Sequence, residues 1–563
     1  MTSRVSFEST NKKALEKAKS RLLFGGTLVA AAFLVIAVRL VDVTILNEES
    51  RKNTIETRNV TAGIKMSRAD IVDRNGILLA TNLRTPGLTG NPKKVIDPIQ
   101  AARSIVQILP ELSETKLVKQ LSAKSKEFVW LKREITPRQE YEINKLGIIG
   151  VDFKYEEKRY WPMRNLTVHA VGYTNVDNKG LAGIELFCDE ILKENQKPLE
   201  LSLDVRVQQV LRREMYNQID KYKAIGGSGI VLDAETGETI ALVSLPDFMP
   251  HEAGTATDNE KFNKATHGIY ELGSIFKIFN TAIALESGKV KLDTSYDARK
   301  PIYISRYIIR DYHAQNKVLT VPEIFIHSSN IGSALIAAEF DRSLQQKFFT
   351  DLGLLRPSSI ELAAKGTPKP PDNWKKIYRM TVSYGHGISV SPLHAATAVA
   401  AIVNGNHYQA TLLKKDNKPV HGTKVISEKT SLIMRKLLRE VVLKTSGRSA
   451  DAADYLVGGK TGTADKSRGG GYDRSKLISS FVGVFPITSP KYVVIVNIDD
   501  PKQINKLRPT GGRVAAPVVG RVISEIAPLL GVFPVMVNAP DIKGVSLNNQ
   551  TNQSSRKQRI AVN

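Results

Sequence analysis

The segment Tyr270-Glu271-Leu272-Gly273-Ser274-Ile275-Phe276-Lys277 places a hydroxyl and an amine where the amine could activate the hydroxyl. Gly273 precedes an apolar run, residues 275–287, that closes on Gly288 in the manner of a glycine C-cap. Ser274 is therefore expected at the start of a helix. Ser274 and Lys277 are then i and i+3, on one face and within hydrogen-bonding reach. A serine nucleophile activated by a lysine base needs that arrangement. The helix start adds free N–H groups and positive potential for a developing oxyanion. The same Ser-x-x-Lys spacing recurs at Ser9/Lys12, Ser113/Lys116 and Ser554/Lys557, but in polar, charged surroundings. The helix after Ser274 is instead apolar on nearly every side, with Ile275, Phe276, Ile278, Phe279, Ala282, Ile283 and Leu285. Such a helix is usually buried, and a lysine within it must be paired or neutral.

Two further clusters lie downstream. Ser328-Ser329-Asn330 separates two helix-like stretches, residues 322–327 and 331–340. Taken alone it reads as a helix N-cap. Lys460-Thr461-Gly462-Thr463 ends a strand-like run, residues 455–463. Lys460 supplies positive charge, Thr461 and Thr463 supply hydroxyls, and Gly462 would let a ligand approach the strand backbone closely. Taken alone this reads as a strand ending in a glycine bulge. The conjunction of all three, in this order and each in suitable local structure, favours one active site.

The elements around them suggest how they could meet. Residues 205–222 read as an amphipathic helix, followed by a strand, a turn at Thr236-Gly237 and a second strand at 239–245. A long helical block spans residues 274–405, and strand-like runs return at 455–463, 478–485 and 492–498. Strands at both ends with helices between predict an α+β domain whose distant strands share one antiparallel sheet. Residues 47–200 are mixed and charged, with short strands at 69–72 and 150–153, helices at 100–109 and 114–122, and a hairpin turn at Asp73-Arg74-Asn75-Gly76. They hold no catalytic constellation and read as a pedestal.

A chain of 563 residues has room for two or three domains. Lys and Arg number 80 against 56 acids, a net charge of +24. The basic residues are dispersed and no groove-reading motif accompanies them, which argues against nucleic acid and for an anionic membrane face or acidic polymer. The lone Cys188 excludes an intrachain disulfide, lacks the spacing of a metal site, and reads as a small buried side chain. Residues 22–38 carry no charge and follow Lys12, Lys13, Lys17, Lys19 and Arg21. They predict an uncleaved single-pass anchor with residues 1–21 cytoplasmic and the remaining chain outside.

The trio Ser-x-x-Lys, Ser-x-Asn and Lys-Thr-Gly is that of serine β-lactamases and penicillin-binding proteins. The chain resembles class B penicillin-binding proteins, most closely their division-specific transpeptidases, through nearly its whole length after the anchor. Ile71-Val72-Asp73-Arg74-Asn75-Gly76, Arg159-Tyr160-Trp161-Pro162 and Gly180-Leu181-Ala182-Gly183-Ile184-Glu185 look like the family's pedestal motifs. Asp233-Ala234-Glu235-Thr236-Gly237-Glu238, the glycine-rich segment 384–393 and Gly511-Gly512-Arg513-Val514-Ala515-Ala516-Pro517 resemble catalytic-domain segments. The sequence departs from the pattern at Leu272, where proline is usual, at Ile275, where threonine is common, and at Ser67-Arg68-Ala69-Asp70, where Arg-Gly is more usual.

The resemblance implies a β-lactamase-like transpeptidase fold at residues 201–535. Before it would come a dimerisation-type pedestal at 47–200 and a membrane anchor at 22–46, and after it a polar, disordered tail at 536–563. It implies that Ser274 attacks a stem peptide ending in D-Ala-D-Ala, that Lys277 takes its proton and that Ser328 relays a proton to the leaving amine. Asn330 would orient Lys277 and hold the substrate amide. Lys460, Thr461 and Thr463 would grip the terminal carboxylate beside Gly462. The expected setting is the bacterial inner membrane, with β-lactams as inhibitors and division-complex partners that include a lipid-II-polymerising glycosyltransferase. No metal, cofactor or nucleic acid is implied. A β-lactamase would need a glutamate for its deacylating water, and no Glu-x-x-x-Asn lies between the second and third motifs. The elongation-specific sister enzyme, a D,D-carboxypeptidase and a β-lactam sensor are the competing readings.

Overall fold

The computed structural model describes residues 5–41, 67–195, 197–304, 307–415, 420–468 and 471–535. The expectations for residues 42–66 and for the tail at 536–563 fall outside the described residues. The chain divides into two units after Met66. The first contains one helix, Val5–Val41. Its stretch Lys19–Val38 has 20 residues and is apolar enough to cross a bilayer. At 1.5 Å per residue it reaches about 30 Å, the thickness of the hydrocarbon layer. Leu22, Phe24, Leu28, Phe33 and Leu34 are all exposed along it, as suits a helix whose solvent is lipid.

The second unit is organised by a five-stranded sheet. Its order is Gly458–Arg468, Gly471–Phe485, Tyr492–Asp499, Gly226–Asp233, Thr239–Leu245, and every pairing is antiparallel. Strands more than two hundred positions apart in sequence thus lie side by side, as their placement at the two ends of the domain requires. Side chains alternate across the sheet. Ile230, Leu232, Leu242, Val482, Val493 and Ile495 enter a core shared with the helical block. Val231, Val243, Phe481, Val494, Val496 and Ile498 enter a second core, against helices Val205–Lys221 and Ala516–Leu529. Burial on both faces explains why Tyr492–Asp499 reads as a continuous apolar run. Each fully buried Val or Ile contributes about 1.5–3 kcal/mol.

The block 274–405 is not continuously helical. Two short ribbons interrupt it, Ser295–Asp297 with Val318–Thr320 and Ile302–Ile304 with Tyr307–Ile309. The strand expected at 455–463 begins only at Gly458, because residues 453–455 form a 3₁₀ turn, and with the strand expected at 478–485 it extends into a longer hairpin, paired from Gly458 opposite Val484 to Arg468 opposite Gly471 with a register shift between Asp465 and Lys466. Its outer part is polar, so no alternation of apolar residues marks it.

The pedestal sheet pairs the 13-residue strand Leu78–Gly90 with Val129–Lys132 and Val151–Tyr160. Val151–Tyr160 is far longer than the strand expected at 150–153, because after Tyr155 the run Glu156-Glu157-Lys158-Arg159 is continuously charged and carries no apolar alternation. Leu88, Ile105, Leu117, Leu121 and Leu131 form the local core with helices Pro98–Ile108 and Glu114–Leu121. Three distant sequence motifs converge on Glu185. Arg68 Nε lies 2.7 Å from its Oε2 and Arg159 Nε 2.7 Å from its Oε1, and Arg68 Nη1 reaches Asp189 Oδ1 at 2.7 Å. Arg159 and Glu185 are fully buried, and burial pulls the Arg159 guanidinium below its ordinary value. Asp73, also buried, accepts from the N–H groups of Asn75 and Ile77 and from Val205 N at the head of helix Val205–Lys221. Cys188 is buried as expected, which pushes its thiol up to about 11.

Glu185→Ala would leave two buried guanidiniums without their shared anion. Removing one partner of a buried ion pair costs about 3–5 kcal/mol. The expected outcome is a matching loss in urea-denaturation stability of the full-length protein, and a loss under about 1 kcal/mol would show that water replaces the carboxylate.

Candidate active site

The nucleophile turn is a single 3₁₀ turn, Gly273–Ile275, that feeds helix Phe276–Glu286. Every residue from Phe276 to Ala284 is buried, Lys277 included. Gly273 has φ +55°, and a Cβ there would lie 2.7 Å from Thr463 O. Glycine is therefore required both by conformation and by the approach of the strand Gly458–Arg468. Leu272, at the position that departs from the family pattern, is fully buried against this strand and supports the turn.

Lys277 Nζ sits at the centre of four oxygens. It lies 2.9 Å from Ser274 Oγ, 2.8 Å from Ser328 O, 3.1 Å from Ser328 Oγ and 2.7 Å from Asn330 Oδ1. Two of these, the Ser328 carbonyl and the Asn330 amide oxygen, can only accept. A neutral amine has two N–H bonds and one lone pair. Donation to the two obligate acceptors turns the lone pair toward the hydroxyls of Ser274 and Ser328. Burial and the nearby charge of Lys460 hold Lys277 well below the usual lysine range, with Asp311 acting weakly the other way.

Lys460 is likewise buried, and Nζ reaches Ser328 Oγ at 3.0 Å. Burial brings its pKa down to about 7. Ser328 thus stands between the two amines, in a left-handed backbone conformation with φ +59°. That geometry costs of order 1–3 kcal/mol for a non-glycine residue. It is held by Asp311, which accepts from Ser329 Oγ at 2.7 Å, Ile331 N at 2.9 Å and Asn330 N. Asn330 Nδ2 donates to Arg310 O at 3.0 Å, fixing which amide atom faces Lys277.

A cleft of about 470 Å³ opens above this group, lined by Ser274, Ser328, Asn330, Thr461 and Thr463 among others. The sequence-predicted residues Ser274, Lys277, Ser328, Asn330, Lys460, Thr461 and Thr463 are therefore brought together. Gly462 does not line the cleft. A Cβ there would meet Leu272 O at 2.4 Å, so Gly462 admits the nucleophile turn to the strand, where a ligand had been expected. Thr461 Oγ1 lies 3.1 Å from Ser446 Oγ, and Thr463 Oγ1 accepts from Gly511 N at 3.0 Å.

The family described as "Penicillin binding protein transpeptidase domain" matches residues 227–524, and "Penicillin-binding Protein dimerisation domain" matches residues 64–214. The chain belongs to the class B penicillin-binding proteins. It is 36% identical over 487 residues to a protein of Caulobacter vibrioides named "Probable peptidoglycan D,D-transpeptidase FtsI", covering 84% of this chain and 82% of that one. The apo transpeptidase domain of Burkholderia pseudomallei penicillin-binding protein 3 superposes with a TM-score of 0.54 at 30% identity, covering 60% of this chain and 98% of that domain. A peptidoglycan synthetase from Bifidobacterium adolescentis, 21% identical, shares the fold with a TM-score of 0.67 over 85% of this chain and 98% of its own.

Several groups in this penicillin-binding protein's site escape sequence reasoning. Asp311 and Ser446 lie outside the three motifs. The glycine-rich segment 384–393 supplies Tyr384 and His386 to the cleft, and Arg508 comes from a loop. Glu271, next to the nucleophile turn, accepts from Gly387 N and from Tyr472 OH, both at 3.1 Å. Its Oε2 is buried without a hydrogen bond, and burial raises its pKa. The rings of His386 and Tyr472 lie 5.3 Å apart, so the outer part of the hairpin flanks the cleft. A weak signal existed for Glu271 in its adjacency to Ser274. For Asp311 there was none.

Two outcomes follow. Acylation by a carboxylate-bearing penicillin should rise with pH as Lys277 loses its proton, and fall above about pH 7 in the free protein as Lys460 discharges. Lys460→Arg should move the alkaline limb upward, because a guanidinium stays charged. Stopped-flow acylation measures both, and a parent rate still climbing above about pH 9 would contradict the assignment. Asp311→Ala should slow acylation by about 10²-fold through misplacement of Ser328 and Asn330, a larger proportional effect than any shift in the thermal unfolding midpoint.

Proposed function

We propose that this penicillin-binding protein is a peptidoglycan D,D-transpeptidase that cross-links stem peptides through an ester on Ser274. The observation that carries the reading is the buried, depressed Lys277 amine 2.9 Å from Ser274 Oγ, with its N–H bonds spent on obligate acceptors. Ser274 Oγ attacks the carbonyl of the penultimate D-alanine while its proton passes to Lys277. The N–H groups of Ser274 and Thr463 stabilise the oxyanion, each donor worth about 2.7–4 kcal/mol in comparable sites. The C–N bond then breaks. Ser328, in contact with both amines, carries the proton from Lys277 to the departing D-alanine nitrogen. Lys460, Thr461 and Thr463 hold the terminal carboxylate, and Asn330 orients both Lys277 and the substrate amide. An amine of a second stem attacks the ester, gives its proton back through the same relay and releases Ser274. A β-lactam acylates the same hydroxyl, but its amine stays tethered to the acyl group and the next step stalls.

The resemblance of the motifs to division-specific members supports a role in septal wall synthesis. It also supports a division complex that includes a lipid-II-polymerising glycosyltransferase. The basic residues before the apolar helix support a cytoplasmic N-terminus and a periplasmic body. On this reading residues 47–200 are the pedestal and 201–535 the catalytic domain.

Fluorescent penicillin should label the full-length protein on the peptide containing Ser274, and Ser274→Ala should abolish the label. Lys277→Ala should slow acylation by about 10²–10⁴-fold, the usual contribution of a positioned base. An adduct at another residue, or rapid turnover of the penicillin, would refute the assignment.

A further inference from the structure

The strand Gly458–Arg468 turns Thr461, Thr463 and Asp465 to the cleft. They are every second residue, so the three stand in one row. On the transpeptidase reading two members of the row already have tasks. Thr461, with Lys460, holds the donor's terminal carboxylate, and Thr463 N meets the scissile carbonyl. A peptide running from the first position to the second is led on toward Asp465, about 7 Å farther along the strand. The residue before D-Ala-D-Ala therefore comes to stand beside Asp465.

Asp465 brings a cation with it. Its Oδ1 accepts from Arg508 Nη2 at 2.7 Å, and the Arg508 guanidinium lies over the Tyr312 ring, 5.2 Å from its centre. Arg508 and Tyr312 line the cleft as well. The guanidinium is thus fixed between the strand and the loop that carries Asp311, by a charge on one side and a ring face on the other. Its side chain is 33% exposed, and only one of its nitrogens has an acceptor among the described residues. The remaining N–H groups form a fork of the kind that matches a carboxylate. The acids of the cleft leave room for one more anion. Asp311 has both oxygens engaged by Ser329, Asn330 and Ile331. Arg310, exposed on the same cleft, pairs with no acid among the described residues. Resting on the transpeptidase reading, we propose that Arg508 is a specificity-determining residue. It selects donors whose residue before D-Ala-D-Ala carries a side-chain carboxylate over donors in which that group is an amide.

Two penicillins test this on the full-length protein. In a penicillin the acylamino group hangs from the carbon next to the reacting carbonyl, where the preceding residue hangs in the peptide. One penicillin carries an adipoyl side chain, which ends in a carboxylate, and the other carries the same chain ended as an amide. Stopped-flow acylation of Ser274 in the parent should be about fivefold faster with the acid, the upper range for an exposed ion pair. Arg508→Gln should bring the ratio of the two rates below about twofold, and because both rates come from one variant, a general loss of activity cancels. Without any variant, the parent's preference should shrink between about 0.01 M and about 1 M ionic strength, as screening shortens the reach of the charge. A parent ratio under about twofold, or a preference unmoved by salt, overturns the proposal. So does a preference that survives Arg508→Gln and is lost in Arg310→Gln, or that survives both, since another charge would then be the reader. Equal acylation by the two penicillins sinks this proposal alone and leaves the transpeptidase reading standing. If neither penicillin acylates Ser274 in the parent, the transpeptidase reading falls and the proposal falls with it.

Discussion

Everything in the catalytic domain depends on keeping one amine buried without a carboxylate to neutralise it. Lys277 is enclosed by an apolar helix and faces a second buried amine at Lys460 rather than an acid. In water such an arrangement would be protonated and the serine inert. Here burial and the nearby charge of Lys460 shift Lys277 toward its neutral form, and the carbonyl oxygens of Ser328 and Asn330 lie where its N–H bonds can donate. Reactivity is thus a property of the enclosure as much as of the residues. The two-faced sheet and the helix packed on it are the means of enclosure.

That dependence explains the order of elements along the chain. Lys277 sits on a helix, Ser328 on a loop between helices, and Lys460 and Thr461 on a strand whose neighbours include the segment at the far end of the domain. No local segment can assemble them, so the antiparallel pairing of Tyr492–Asp499 with Gly226–Asp233 is a precondition of chemistry. The pedestal is coupled to the same framework through Asp73, which accepts from the head of helix Val205–Lys221. Its own Arg68–Glu185–Arg159 group draws together motifs that lie up to 117 positions apart.

The legibility of the site in the sequence follows from how local each constraint is. Ser274 and Lys277 were legible because helical spacing and an apolar helix are short-range signals. Ser328, Asn330, Lys460, Thr461 and Thr463 became legible in conjunction, by their order. Asp311 was not, because its task is set by backbone N–H groups nearly twenty positions away, and a lone acid in a polar loop carries no period. Gly462 was found for the wrong reason: a small residue in a strand announces a close approach but not what approaches. The short ribbons inside the helical block and the solvated strand Val151–Tyr160 were missed for a related reason, since pairing in exposed hairpins leaves little apolar alternation to read.

The shift in register at Asp465/Lys466 divides the long hairpin into two parts with different freedoms. On the sheet side, Lys460 and Thr461 are locked opposite Val482 and Phe481, and one slipped residue would turn the whole row over. Past the shift, the strands need only remain paired with each other as they carry Tyr472 toward Glu271. A change in the length or tip of that outer arm would therefore alter what borders the cleft while Lys460 and Thr461 keep their register.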